Sequence, residues 1–167
     1  KGMTHWKRLF LLLFHRRDLK GAAAVHATSY AEAASIERLV PGCRVVVVPH
    51  GVTLPSDLQG NERLLARYPQ LRGKRIVLFM SRLHEKKRPQ WVVEACGCLH
   101  TEIPELALVL AGPDAGMGDA LRRQSQQAGL DGATVFPGFL QGPEKAEAFG
   151  LAHVLCLPSQ DENFGVV

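Results

Sequence analysis

No run of this 167-residue chain is apolar for long enough to cross a bilayer. Trp6 to Arg17, WKRLFLLLFHRR, holds a short apolar block with cations on both sides, far below the roughly 20 residues a spanning helix needs. Aromatic residues are scarce at 7% and form no stripe with cations, and Lys plus Arg number only 20 against 16 Asp plus Glu. That argues against a nucleic-acid surface. The mild net charge of +4 suits a protein that handles phosphorylated ligands or rests near an anionic membrane.

Several signatures are also missing. Gly112, Gly116 and Gly118 do not have the G-x-G-x-x-G spacing, and no G-x-x-x-x-G-K-S/T occurs. Gly73-Lys74 precedes a strand pattern, which is the wrong order for a P-loop. A nicotinamide enzyme and a P-loop ATPase are therefore disfavoured. The chain holds no Asp-x-Asp triplet, and its histidines show no paired metal spacing. Cys43, Cys96, Cys98 and Cys156 are the only cysteines. Reduced core thiols in a cytoplasmic protein are the expectation. Cys96-Gly97-Cys98 invites a metal, but on a helix residues two apart point to nearly opposite sides, so they cannot share one ion. The sequence starts at Lys1 without a Met and stops at Val166-Val167 just as an apolar segment begins, so a fragment is expected.

What is present is an alternation. Trp6 to Arg17 is expected to pack on its own domain as a helix, with a lipid-surface helix as the other reading. Ala22 to Val25 reads as a small buried strand. Ser29-Tyr30-Ala31-Glu32 has the form of a capping box, opening a helix toward Leu39. Arg44 to Val48 is β-branched and apolar and reads as another buried strand. Pro55, Gly60, Pro69 and Gly73 then punctuate a weaker stretch around a short helical piece, Glu62 to Tyr68.

Next come a buried strand at Ile76 to Met80 and a helix from Pro89, with Val92, Ala95, Cys96 and Leu99 on its inner face. A strand follows at Leu106 to Ala111, then a polar helix from about Gly118 to Ala128, capped by Gly129. Thr134 to Phe136 reads as a strand, Pro143 to about Ala152 as a helix, and Val154 to Leu157 as the last strand. No repeat or low-complexity segment interrupts the series. Strands alternating with helices predict an α/β fold, a Rossmann-like parallel sheet with helices on both faces.

The densest chemistry is IVLFMSRLHEKKRP, Ile76 to Pro89: five apolar residues, then a loop carrying four cations, then Pro at the start of a helix. In a parallel sheet that loop lies at the carboxyl end of its strand, where ligands bind, and the helix start offers N–H groups to an anion. Arg82 and Lys87 are the candidates to hold a phosphate; a solvated basic loop is the alternative. Two further loops, Gly112 to Gly116 and Ser159 to Gly165, are expected on the same edge, the last carrying Asp161 and Glu162. Cations for a phosphate and a carboxylate for hydroxyls are what a sugar nucleotide requires. Two charge-assisted hydrogen bonds, roughly 1.5–3 kcal/mol each, would supply much of a micromolar affinity of about 8 kcal/mol. Asp161 and Glu162 as a general acid–base pair is the weaker alternative, because neighbours in sequence rarely flank one bond from opposite sides.

SRLHEKK (Ser81 to Lys87), AGPD (Ala111 to Asp114), VFPGFLQG (Val135 to Gly142) and LPSQDENFG (Leu157 to Gly165) resemble successive motifs of the family-four, or group 1, glycosyltransferases. HATSYAE and VVVPHGV, from His26 and Val46, resemble the end of that family's first domain and its entry to the linker. The resemblance implies the GT-B architecture, two Rossmann-like domains facing each other across a cleft. Residues 1–53 would be the end of the N-terminal, acceptor-side domain, and 54–167 a truncated C-terminal nucleotide-sugar-binding domain.

It also implies roles. Arg82 and Lys87 hold the donor's diphosphate and stabilise the departing nucleoside diphosphate without a metal or other cofactor. Glu162 faces the donor sugar, and these three are the catalytic candidates. Gly112, Phe139, Leu140, Asn163, Phe164 and Gly165 are the donor-binding candidates, with Phe139 and Leu140 near the base. The implied partners are a nucleotide-sugar donor and a glycan or lipid-linked acceptor, with peripheral membrane contact and no nucleic acid. The implied setting is the cytoplasm at the inner face of the membrane. The sequence departs from the family pattern at His50, where Asn is usual, and at His153, where Asp is usual; the first is expected to affect the linker turn and the second a helix end. The family's second Glu falls beyond Val167, so weak nucleotide binding and no turnover are expected of this stretch alone. Two readings compete: a non-catalytic nucleotide-binding α/β module, and a membrane-surface binder that uses Trp6 to Arg17.

Overall fold

A computed structural model of the chain describes residues 15–51 and 62–160, which fall into two compact units. Most of Trp6 to Arg17, and Asp161 to Gly165 with all their expected roles, lie outside the described residues. Among the described residues no helix is long and apolar enough to cross a membrane.

The first unit holds helix α1 (Arg16–Gly21), strand β1 (Val25–Ala27), helix α2 (Tyr30–Leu39) and strand β2 (Val45–Val47). The strands pair in parallel, Val25 opposite Val45 and Ala27 opposite Val47. Pairing sets the strand limits, so β1 starts at Val25 rather than at Ala22, β2 spans Val45–Val47, and Ala22 to Ala24 are exposed. Neither is the buried strand expected: Ala27 alone in the two is buried, and Val46 is exposed. The start of α2 is held as the capping pattern predicts, with one change. Ser29 Oγ accepts from the Glu32 amide at 3.2 Å. The Glu32 carboxylate returns to the Thr28 amide and hydroxyl, both at 2.7 Å, one residue earlier than the usual box. Those bonds, the amide first, hold the Glu32 carboxyl below its ordinary range.

The second unit begins with the short helix α3 (Arg63–Arg67) and a 3-10 turn, Pro69–Leu71. Strand β3 (Arg75–Met80), a 3-10 turn at Glu85–Lys87, helix α4 (Pro89–His100), strand β4 (Leu106–Ala111), helix α5 (Gly118–Gln127), strand β5 (Thr134–Gly138), helix α6 (Gly142–Leu151) and strand β6 (Ala152–Leu155) follow. The four strands form one sheet in the order β5-β4-β3-β6, and every pair is parallel. The order reverses between β3 and β6, the switch point where open α/β sheets bind ligands.

Alternation along the strands divides the core. Ile76, Leu78, Met80, Ala107, Val109 and Ala111 face Leu64 of α3 and Ala148 of α6. Phe79, Leu106, Leu108 and Leu110 face Val92, Val93 and Cys96 of α4 and Leu121 of α5. All six residues of β4 are buried, as an apolar run between two helical layers requires.

Three further expectations need correction. The inner face of α4 is Pro89, Val92, Val93 and Cys96, while Ala95 and Leu99 are exposed; the stripe starts from the buried Pro89 at spacing i, i+3, i+4, i+7. The last strand is Ala152–Leu155, not Val154 to Leu157, and its Val154 is 55% exposed; among the described residues β6 is an edge strand, paired only to β3. His153 lies in that strand and not at a helix end. Its Nδ1 accepts from the Ile76 amide at 3.1 Å, at the place where the register between β3 and β6 shifts. The ring thus takes a donor that a regular ladder would give to a carbonyl.

Cys96 is buried and Cys98 exposed, the opposed directions expected of residues two apart on a helix. Burial, and then the neighbouring Cys156 thiol, push Cys96 up to about 11. It is a core thiol, not a nucleophile.

Candidate donor-binding cleft

The carboxyl ends of β3, β4 and β5 are laced together beyond the sheet. Ser81 N–H donates to Ala111 C=O at 3.0 Å, Leu83 N–H to Pro113 C=O at 3.0 Å, and Ala115 N–H to Leu83 C=O at 3.2 Å. Gly112 N–H reaches the Gly138 carbonyl at 2.8 Å. Gly112 takes φ +145, and a Cβ there would overlap the Ser81 carbonyl. Only glycine lets these two loops come so close.

Above this lacing lies a cleft of about 510 Å³. Met80, Ser81 and Arg82 form its β3 side and Gly112 and Pro113 its floor. Phe139, Leu140, Gln141, Gly142 and Lys145 form its β5 side. Four residues singled out in the sequence therefore share one cavity: Arg82, Gly112, Phe139 and Leu140. Leu140 is buried, whereas Phe139 is 68% exposed. Lys145 and Gln141 were not anticipated. Pro143 signals the start of a helix on this edge, so a cation on its first turn was the available clue.

Lys87 is half-buried on the 3-10 turn that follows Arg82 and is not among the residues lining the cleft. Its amide donates to His84 C=O at 2.8 Å, and His84 Nδ1 accepts from the Lys86 amide at 3.2 Å. Arg88 ends the turn in the left-handed region at φ 53, with its guanidinium 4.1 Å from the Trp91 ring centroid. The segment after β6 arrives at the same place, where Gln160 N–H donates to Lys86 C=O at 2.8 Å.

Anion binding by helix starts is more restricted than the sequence suggests. Pro89 has no N–H, and the Trp91 amide is taken by Arg88 C=O at 3.1 Å. At α5, Asp114 Oδ1 accepts from the amides of Gly116, Met117 and Gly118, each at 2.9 Å. The side-chain cations lining the cleft are Arg82 on the β3 side and Lys145 on the β5 side, beside the start of α6, whose N-cap Gln141 makes no side-chain cap bond.

Those amide bonds, Gly118 first and Met117 next, lower the Asp114 carboxyl below its ordinary range. A group with a lowered native pKa stabilises the fold above its unfolded value, about pH 4, and loses that contribution as pH falls through the native value. Glu32, and Glu62 through its bond to Arg72, are lowered as well, so a comparison with a variant isolates Asp114. Asp114→Asn keeps an acceptor oxygen but does not titrate. Thermal unfolding followed below pH 4 is expected to show a shallower acid decline in the variant than in the wild type. Parallel declines would show that the carboxylate is not the titrating group there.

The sequence profile of the family "Glycosyl transferases group 1" matches residues 62–167. A D-inositol 3-phosphate glycosyltransferase of Paenarthrobacter aurescens is 32% identical over 164 residues, 91% of this chain and 39% of that protein. One from Kribbella flavida is 31% identical over 133 residues, 74% of this chain and 31% of that protein. The chain thus spans about a third of the length of these curated relatives. Among solved structures, Anabaena HepE in complex with UDP and glucose superposes with a TM-score of 0.76 at 21% identity, covering 96% of this chain and 45% of that one; that likeness is one of fold. Sucrose-phosphate synthase from Thermosynechococcus elongatus gives 0.69 at 25% identity, covering 91% of this chain and 39% of that one. The α/β class with parallel sheets, expected from the alternation of elements, is the class these structures share. With its profile match running from α3 through all four strands of the larger sheet, the chain belongs to the group 1 glycosyltransferase family.

Proposed function

We propose that the chain is the donor-binding part of a family-four GT-B enzyme that transfers a hexosyl unit from a nucleoside-diphosphate sugar to a glycan or lipid-linked acceptor. The observation that carries this reading is the order of groups along one sheet edge. Arg82 leaves β3, while Phe139 and Leu140 leave β5 two strands away, roughly 10 Å across the sheet. An extended nucleotide laid along the cleft puts its diphosphate at Arg82 and its base against Phe139 and Leu140, with Lys145 at the nucleoside end.

The sugar then falls toward the β3–β6 switch point. Gln160 is tied there to Lys86; the family resemblance assigns to Glu162 the role of orienting the sugar. Asn163, Phe164 and Gly165 offer amides to its hydroxyls. Arg82 in the cleft, with Lys87 on the turn that follows it and outside the cleft lining, offsets the charge of the leaving nucleoside diphosphate, so no metal is required. Anomeric configuration is retained. The reaction belongs to polysaccharide- or lipopolysaccharide-type glycan synthesis, on the cytoplasmic side at the inner face of the membrane. Turnover requires the intact protein. The relatives named for D-inositol 3-phosphate suggest a second acceptor class, a small phosphorylated polyol, which an acceptor panel separates from glycans.

Calorimetric titration of uridine, UMP and UDP into the intact protein tests the placement. Arg82→Ala is expected to weaken UDP roughly 10- to 100-fold, the worth of one charge-assisted bond, and to leave uridine unchanged. Lys145→Ala is expected to weaken all three ligands by a similar factor. Unchanged UDP affinity in Arg82→Ala would leave the basic loop as a solvated surface and favour the non-catalytic module.

A further inference from the structure

Helix α3 is bonded to both ends of the wall that carries Phe139 and Leu140. Arg67 Nη2 donates to the Pro137 carbonyl at 2.9 Å, and the Tyr68 hydroxyl reaches the Phe136 carbonyl at 3.3 Å. Both acceptors lie on β5, just before the wall begins. At its far end, Arg67 Nη1 lies 4.0 Å from Glu144 Oε1 on the first turn of α6. One turn further on, the Glu147 carboxylate accepts from the amides of Leu64 and Leu65 at 2.8 and 3.2 Å.

We propose that Arg67 is a positioning residue for nucleoside binding, holding the entry and exit of the 138–142 segment so that Phe139 and Leu140 present their surface before a ligand arrives. The inference rests on the donor reading given above. A guanidinium suits the task because its planar fork can serve a carbonyl and a carboxylate at once, which an ammonium does less well. The ion pair to Glu144 is half-exposed and contributes little alone; the carbonyl bond is the main anchor. Without it, part of the binding free energy goes into ordering the wall. Arg82 stands on the opposite side of the cleft, so the diphosphate end does not depend on this brace.

The test uses the intact protein with two probes, UDP and inorganic pyrophosphate, titrated by calorimetry. Arg67→Ala and Arg67→Met both remove the donors, and Met keeps the aliphatic stem should Ala prove unstable. In either variant UDP affinity is expected to fall about tenfold, with pyrophosphate affinity unchanged. Arg67→Lys, with one donor in reach, recovers part of the loss. Arg82→Ala weakens both probes. The inference is overturned if Arg82→Ala weakens UDP while the Arg67 variants do not, or if they weaken both probes equally. If Arg82→Ala changes neither probe, the donor reading itself fails and this inference falls with it.

Discussion

Gly112→Ala is expected to destabilise the larger unit by roughly 2–6 kcal/mol, from left-handed backbone strain and overpacking together, and to remove nucleotide binding as well. The added methyl would overlap the Ser81 carbonyl, which is backbone and cannot rotate away. Relief requires the ends of β3 and β4 to separate. That would break the Ser81–Ala111 and Leu83–Pro113 bonds and move Arg82 relative to the cleft floor. Gly116 supplies the control: it also has positive φ, at +97, but a Cβ there meets nothing within 4 Å. Gly116→Ala should therefore show only the conformational part of the loss. Urea unfolding of both variants checks this, and equal losses at the two positions would mean that the close approach at Ser81 is not what requires glycine.

Glu147→Ala should cost roughly 2–4 kcal/mol, because it leaves two amides at the start of α3 without their acceptor. Glu147 is only 5% exposed, and Leu64, one of its donors, is 1% exposed, so water replaces the carboxylate poorly. Glu147→Gln keeps one acceptor oxygen and should lose less than half as much. The effect is local in origin. Amide hydrogen exchange at Leu64 and Leu65 should therefore accelerate more than exchange in β4. A loss of about 0.5 kcal/mol or less, the size of an ordinary surface change, would show that the two bonds contribute little.

These two positions also show what a sequence discloses. Gly112 follows an apolar strand and opens a loop, so its place on the ligand edge was readable from the alternation of elements. Glu147 sits in a polar-looking stretch, PEKAEAF, and nothing local reveals that its partners lie more than eighty residues upstream. Arg67 was hidden for the same reason, its acceptor being on β5. Lys145 stands singly between Glu144 and Ala146, without the clustering that marks the cations after Met80.

Strand cores were legible because a buried parallel strand needs a continuous apolar run, as in Leu106 to Ala111. Strand ends were not, because pairing sets them. His153 gives up its place in the β3–β6 ladder and takes the Ile76 amide with its ring, which no periodicity encodes. Two stripes on α4 fit the helical period, and the buried Pro89 selects the one with Val93 rather than Leu99.

The most direct test is a structure of the intact protein with UDP bound, backed by chemical-shift perturbation in solution. The expected result has the diphosphate within hydrogen-bond reach of the Arg82 guanidinium and the uracil against Phe139 and Leu140, with Lys145 beside the nucleoside. A nucleotide bound outside this cleft, or one reversed so that its diphosphate meets Lys145 and its base Arg82, would contradict it.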